Sequence, residues 1–355
     1  MTTATPPGRP PADLRNPAQL LAALPYLIGF RPAKSVVLVG HRAPTGHEPG
    51  LVLRGDLPRR EDRVRQARAL APRFAAGRHL GVTLVIVGGR RRSGSPPPHR
   101  GFVDELADAL GEFGLPVLHA LWTTGITAGA PWACYVEVSC CGSLPDPRAT
   151  VLAAAATECG TVAFDSREEL EALLAPRSPE ALARRTDRLA RLPSPPWPDA
   201  TCVSDAASVI RDAFDRRRRG EGPPTDEEAV MLASALKLPE IRDVCLAMAV
   251  PPETAAAREA EHLWLTLVRE IPPPERAEAA ALLGFTAYMR GDGAFAGMAL
   301  ENALEAAPGH LLATLLKRVL DRGTPPEVLR GLAAAAGQFS GFGLDPVDFD
   351  AGQAV

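Results

Sequence analysis

The chain has 355 residues, enough for two domains and at least one sizeable core. Its 46% hydrophobic and 23% charged residues are those of an ordinary globular protein, which excludes a fibrous or wholly disordered chain. A net charge of −3 argues against a general nucleic-acid binder, which would carry a basic stripe and a high pI.

Residues 1–15, rich in Thr and Pro, read as a disordered lead-in. Asn16 is a good N-cap, with Pro17 at the first helical position and Gln19 completing a capping-box pattern. Leu20, Leu21 and Leu24 form an apolar stripe, and Pro25 is expected to stop the helix within two turns. The apolar turn through Gly29, Phe30 and Pro32 leads into Ser35–Val39, which reads as a fully buried strand. The whole stretch reads as a plug that docks the N-terminus onto a sheet. The apolar run Leu20–Phe30 is broken by Pro25 and too short to span a bilayer.

Further strands are expected at Leu51–Arg54, Val82–Val87, Val117–Trp122 and Ala133–Val138. Helices are expected at Glu61–Ala76, bent or shortened by Pro72, and at Phe102–Phe113. Arg90–His99, a Pro/Ser/Gly/Arg stretch, reads as a flexible loop. From about Ala149 strand signals fade, and Ser166 with Glu169, Ser178-Pro179, and Thr225 with Glu228 mark helix starts. Pro193–Pro198 and Arg216–Pro224 are the linker candidates. The expected division is therefore a lead-in over 1–15, an α/β domain over 16–192, a linker over 193–224, an α-helical domain over 225–336 and a tail over 337–355.

In the C-terminal part, Gly284, Ala296, Leu300, Ala303 and Pro308 fall at spacings of 12, 4, 3 and 5. These match the small and large positions of a tetratricopeptide repeat, where small residues let two antiparallel helices approach closely. The fold class is accordingly α/β: an N-terminal mixed α/β sheet domain followed by an all-α helical-hairpin, tetratricopeptide-like region.

The pattern Pro25-x-x-x-Gly29-Phe30-x-Pro32-x-x-Ser35, followed by Arg54-Gly55-Asp56-Leu57-Pro58, resembles the start of the actinobacterial domain of unknown function 4192 family. Later stretches fit the same family: Trp132 and Tyr135 running into Cys140-Cys141, the helix start at Ser166-Arg167-Glu168, and Gly291-Asp292 within the helical C-terminus. The resemblance covers most of the chain. It implies a shared fold and no established activity.

No G-x-S-x-G, Walker, H-E-x-x-H or C-x-x-C motif occurs. Gly88-Gly89 after a strand suggests a phosphate-binding turn, but a Pro-rich loop follows where the helix N-terminus would stand. Arg54 and Asp56, with His41 and Thr123, are the polar candidates at strand ends, and they converge on one pocket if the first strands are parallel. The bland alternative is an Arg54–Asp56 pair near the surface. Cys134, Cys140, Cys141 and Cys159 are weighed as zinc ligands against buried, inert thiols, and adjacent cysteines on an extended chain favour the thiols.

The leading expectation is a cytoplasmic, non-enzymatic protein-interaction or regulatory module with no cofactor, no membrane segment and no nucleic-acid partner. Its protein partner would bind the helical C-terminal region. The alternative is an enzyme or small-molecule-binding protein with its site near Arg54 and Asp56.

Overall fold

The computed structural model describes residues 2–4, 16–46, 48–75, 77, 79–92, 95–158, 162–192 and 202–331. The expected linker at 193–198, Cys159 and the tail over 337–355 lie outside the described residues, as do residues 5–15 of the lead-in. The chain divides into two compact units. The first comprises Met1–Leu170 with Gly291–Ala294 and Val319–Pro325, and the second comprises Glu171–Arg290, Phe295–Arg318 and Pro326–Val355.

The first unit is an α/β layer structure. It runs β1 (Thr2–Ala4), α1 (Pro17–Ile28), β2 (Ser35–Arg42), β3 (Pro49–Asp56), α2 (Arg63–Leu70), α3 (Pro72–Ala75), β4 (His79–Val87), α4 (Arg100–Gly111), β5 (Val117–Thr123), β6 (Pro131–Cys134), β7 (Cys141–Ser143), α5 (Val151–Glu158) and α6 (Arg167–Ala172). The mixed sheet has the order β1-β3-β2-β4-β5-β6-β7. Only β4 and β5 are parallel, joined by the crossover through α4; every other neighbouring pair is antiparallel.

One face of the sheet, with Val36, Leu38, Leu84, Ile86 and Trp122, packs with Leu70 and Phe74 from α2 and α3 and with Phe102 and Leu106 from α4. Val37, Val39, Val85 and Leu121, which alternate with these along the strands, are also buried. Burial on both faces is why β2 and β4 are nearly continuous apolar runs.

Pro25 does not stop α1. The helix continues to Ile28 and ends at Gly29, in the left-handed conformation (φ 91°), whose N–H donates to Pro25 O at 2.8 Å. A proline inside a helix removes one donor to the carbonyl four residues back but still offers its own carbonyl, so Gly29 rather than Pro25 sets the end. Asn16 caps the start, accepting from the N–H groups of Ala18 and Gln19. The motif turn then docks by a bridge between Phe30 and Phe164, with Arg31 N–H donating to Phe164 O at 2.9 Å.

The last expected strand is also placed differently. β6 ends at Cys134 and β7, which has no apolar signature, forms the sheet edge; Val136 and Val138 are 83% and 81% exposed between them. Their β-branched pattern mimics a strand, but the hairpin turn falls on them.

The second unit is helical: α7 (Pro179–Arg191), α8 (Cys202–Arg218), α9 (Asp226–Leu236), α10 (Pro239–Ala247), α11 (Ala255–Glu270), α12 (Arg276–Met289), and most of α13 (Gly293–Ala306) and of α14 (Leu311–Asp321). The helical part thus begins ahead of the expected boundary. The expected linker at 216–224 is the last turn of α8 and the capped approach to α9, where Thr225 and Glu228 form a full capping box. At Gly284, an added Cβ would lie 2.7 Å from Leu300 Cγ and 3.3 Å from Ala296 O. The absence of a side chain is what lets α12 and α13 approach so closely. Ala303 is fully buried, and Pro308 lies in the exposed turn before α14.

Candidate functional site

The register of the sheet brings one residue from each of five strands into a row. Asp56 pairs with Ser35, Ser35 with Val87, Val87 with Thr123, and Thr123 with Trp132. The C-terminal ends of β3, β4 and β5 therefore share one edge with the start of β2. Arg54, Asp56 and Thr123 lie at this edge, even though β2 and β3 are antiparallel. His41 does not. It sits at the opposite end of β2, buried, where Nε2 is 2.8 Å from Thr83 Oγ1 and Nδ1 is 3.0 Å from Gly46 O. Burial holds its pKa below the ordinary histidine value.

The three candidates at the edge are engaged with their own surroundings. Arg54, 14% exposed, reaches Asp56 Oδ1 at 2.5 Å through Nη2 and donates through Nε to Ser35 Oγ at 2.9 Å. Ser35 Oγ donates in turn to Ala33 O at 2.6 Å. The motif serine and the Arg-x-Asp segment thus form one chain of hydrogen bonds that locks the start of β2 to the end of β3. Thr123 Oγ1 donates within the loop it precedes, to Gly125 O and Pro131 O.

The open concavity at this edge lies one strand-end further along. A pocket of about 430 Å³ is lined by Arg90, Arg91, Arg92, Thr124, Trp132 and Trp122, with Pro131. The local structure follows from two glycines. Gly88 (φ 118°) and Gly89 (φ 78°) turn the chain sharply out of β4, and a Cβ on Gly89 would lie 2.9 Å from Pro98 Cγ. Trp122 Nε1 donates to Gly88 O, and Gly88 N–H donates to Thr123 O, both at 2.8 Å, so the turn is fixed to β5. Behind it, Tyr135 Oη donates to Pro98 O and Arg100 Nη1 donates to Tyr135 O, which anchors the far end of the loop.

The turn delivers three consecutive arginines to the mouth of the pocket, and no carboxylate among the described residues lines it. Arg91 Nε donates to Ser95 O at 2.7 Å. Arg90 and Arg92 have no ion-pair partner among the described residues. Sequence reasoning passed over them because the surrounding prolines and glycines have the composition of a flexible loop. The available signal was three guanidinium groups immediately after a Gly-Gly turn at a strand end. Their planar forks suit carboxylate or phosphate oxygens, and the ring of Trp132 beside them suits a flat body.

A second concavity, about 380 Å³, belongs to the helical unit. Val209, Met231, Leu263 and Leu267 form its apolar floor, and the segment before α9 forms one wall. That wall is tied down by Arg185, whose Nη2 donates to Pro224 O at 3.1 Å. Most rim charges are internally matched: Arg216 pairs with Glu221 and Glu228 at 3.3 and 2.6 Å, and Glu227 pairs with Arg188. Of the other rim charges, Asp212 and Arg217 are of opposite sign, whereas the arginines at the strand ends are all cationic.

Among the described residues no group of three His, Cys, Asp or Glu side chains is placed to hold a metal ion. Cys134 and Cys140 are half-buried and Cys141 is exposed, so only Cys245 is a fully buried thiol among the described cysteines. No helix among the described residues is long and apolar enough to cross a membrane. The sequence model of one family, described as "Domain of unknown function (DUF4192)", matches residues 17–327. No curated protein and no solved structure matches the chain.

Proposed function

The chain belongs to the DUF4192 family, and from that premise we propose that it is a binding protein for a small anionic molecule, held at the C-terminal ends of β4 and β5. The observation that carries this reading is the cluster of Arg90, Arg91 and Arg92 around a pocket that no carboxylate among the described residues lines. Ligands of open α/β sheets gather at strand carboxyl ends, and about 430 Å³ lies within the usual range for small-molecule sites. The ligand class is a phosphate- or carboxylate-bearing compound with a flat ring. Among the described lining residues Thr124 supplies the one hydroxyl and none is a general base, which favours binding over catalysis. A cytoplasmic setting accompanies this proposal.

A thermal-shift comparison of phenyl phosphate, inorganic phosphate and benzyl alcohol tests it. A ligand at a hundred times its dissociation constant stabilises the folded state by about 2.7 kcal/mol, a rise of several degrees. Phenyl phosphate is expected to raise Tm most and benzyl alcohol not at all. The Arg90→Ala/Arg92→Ala double variant is expected to lose the response. A shift that persists in this variant, or none in the wild type, refutes the reading.

The second reading is a protein-interaction module acting through the helical region. It is favoured by Leu311 and Leu315, one turn apart on α14 and 72% and 49% exposed. A pull-down lost in Leu311→Ser/Leu315→Ser would support it, whereas one unchanged by that substitution would remove its basis.

A further inference from the structure

We propose that Cys134 and Cys140 form a reversible dithiol–disulfide pair on the hairpin that joins β6 to β7. The ladder pairs Ala133 with Cys141 and Trp132 with Gly142, so Cys134 and Cys140 come next, facing each other where the hairpin opens. Cys134 N–H donates to Cys140 O at 2.8 Å, which holds the two residues opposite each other. Facing residues of an antiparallel pair have Cα atoms roughly 4.5 to 5.5 Å apart, within the range of about 4.4 to 6.8 Å that a disulfide spans. Cys141 is adjacent in sequence, but on an extended chain its side chain leaves from the opposite face to that of Cys140. Geometry therefore selects Cys134 with Cys140, not a pairing of Cys141 with either.

The two sulfurs are also distinguishable. Val136 N–H points at Cys134 Sγ at 3.4 Å, a donor for the thiolate that attacks. Burial, with Cys134 and the Glu137 carboxylate close by, pushes the Cys140 thiol up, so it reacts second. With a low-molecular-weight disulfide as oxidant, the Cys134 thiolate attacks one of its sulfurs, forming a mixed disulfide and releasing one thiolate. Cys140 then loses its proton, and its thiolate attacks Cys134 Sγ, forming the internal S–S bond and releasing the second thiolate. Two protein thiols are oxidised, and one small disulfide is reduced to two thiols. The site does not depend on the anion pocket.

The test is oxidised glutathione added to the full-length native chain, followed by alkylation, proteolysis and peptide mass spectrometry. The expected product is a Cys134–Cys140 cross-link that dithiothreitol releases, formed equally in Cys141→Ser. Cys140→Ser is expected to stop at the mixed disulfide and accumulate glutathione on Cys134. A wild type that holds a stable glutathione adduct without the cross-link, links Cys141 in place of Cys140, or stays fully reduced overturns the proposal.

Discussion

The two units both bury neutral polar groups, such as Thr83 in one and Ser234 and Thr286 in the other, but among the described residues they differ in whether they bury charge. In the sheet unit the buried polar groups are neutral: His41 shares a hydrogen bond with Thr83, and Ser35 with Ala33 and Arg54. In the helical unit the centre is charged. Arg185, only 4% exposed, donates through Nε to Asp226 at 2.9 Å and through Nη1 to the Glu270 carboxylate and carbonyl at 2.5 and 2.6 Å. The difference has a structural cause. Strands are joined to each other by backbone hydrogen bonds, so the sheet needs few side chains to register its elements. Helices satisfy their backbones internally, so the start of α9, the end of α11 and α7 are tied together by one guanidinium.

The largest effect expected from breaking this contrast comes from Arg185→Met. It leaves Asp226 without one of its two arginine partners and the buried Glu270 with only the 3.6 Å contact to Arg177. Breaking a buried pair typically costs about 3 to 5 kcal/mol, and urea unfolding of the helical unit reads it. The matching change in the sheet unit, Thr83→Val, removes a neutral hydrogen bond and should cost about 1 to 3 kcal/mol. Overpacking is the next test. Gly284→Val drives a side chain into Leu300 and is expected to destabilise the helical unit by about 1 to 3 kcal/mol.

Acid should separate the units as well. Burial is the main cause lowering the pKa of His41 and His79, so both are neutral in the fold. Because the folded value lies below the ordinary one of about 6.5, the unfolded chain binds more protons in that window. The stability these histidines contribute is therefore present above the ordinary value and lost as pH falls through the lowered one. Asp226 is lowered by the Arg184 hydrogen bond first, aided by Arg185, so its contribution is lost only further down, below the ordinary aspartate range. His262 on α11 is lowered in the same direction, chiefly by burial, so acidification from pH 7 to 5 should weaken both units, and the sheet unit more because it holds both His41 and His79, as hydrogen exchange on β2 and α9 would report. The smallest effect belongs to Arg90→Ala/Arg92→Ala, both exposed, which should change stability by less than about 0.5 kcal/mol while removing anion binding.

The contrast also explains what was legible in the sequence. Ser35–Val39 and Val82–Val87 read as buried strands because sheets covered on both faces demand continuous apolar runs, and the Thr225–Glu228 box is a local signal. Strand direction leaves no trace in such runs, so the grouping of Arg54, Asp56 and Thr123 at one edge, with His41 at the other, required the register. The role of Arg185 was silent because its partners lie 41 and 85 residues away. Arg90–Arg92 were visible as residues but not as a site, since the composition around them is that of a loop and the wall opposite, Trp132, comes from a strand beyond β5.

Hydrogen–deuterium exchange of the full-length chain with and without phenyl phosphate tests the central claim most directly. The account predicts slower exchange confined to residues 86–92 and 122–132, around the arginine turn and Trp132. Protection confined to residues 209–232, at the helical cavity, or no protection in either segment, would contradict it.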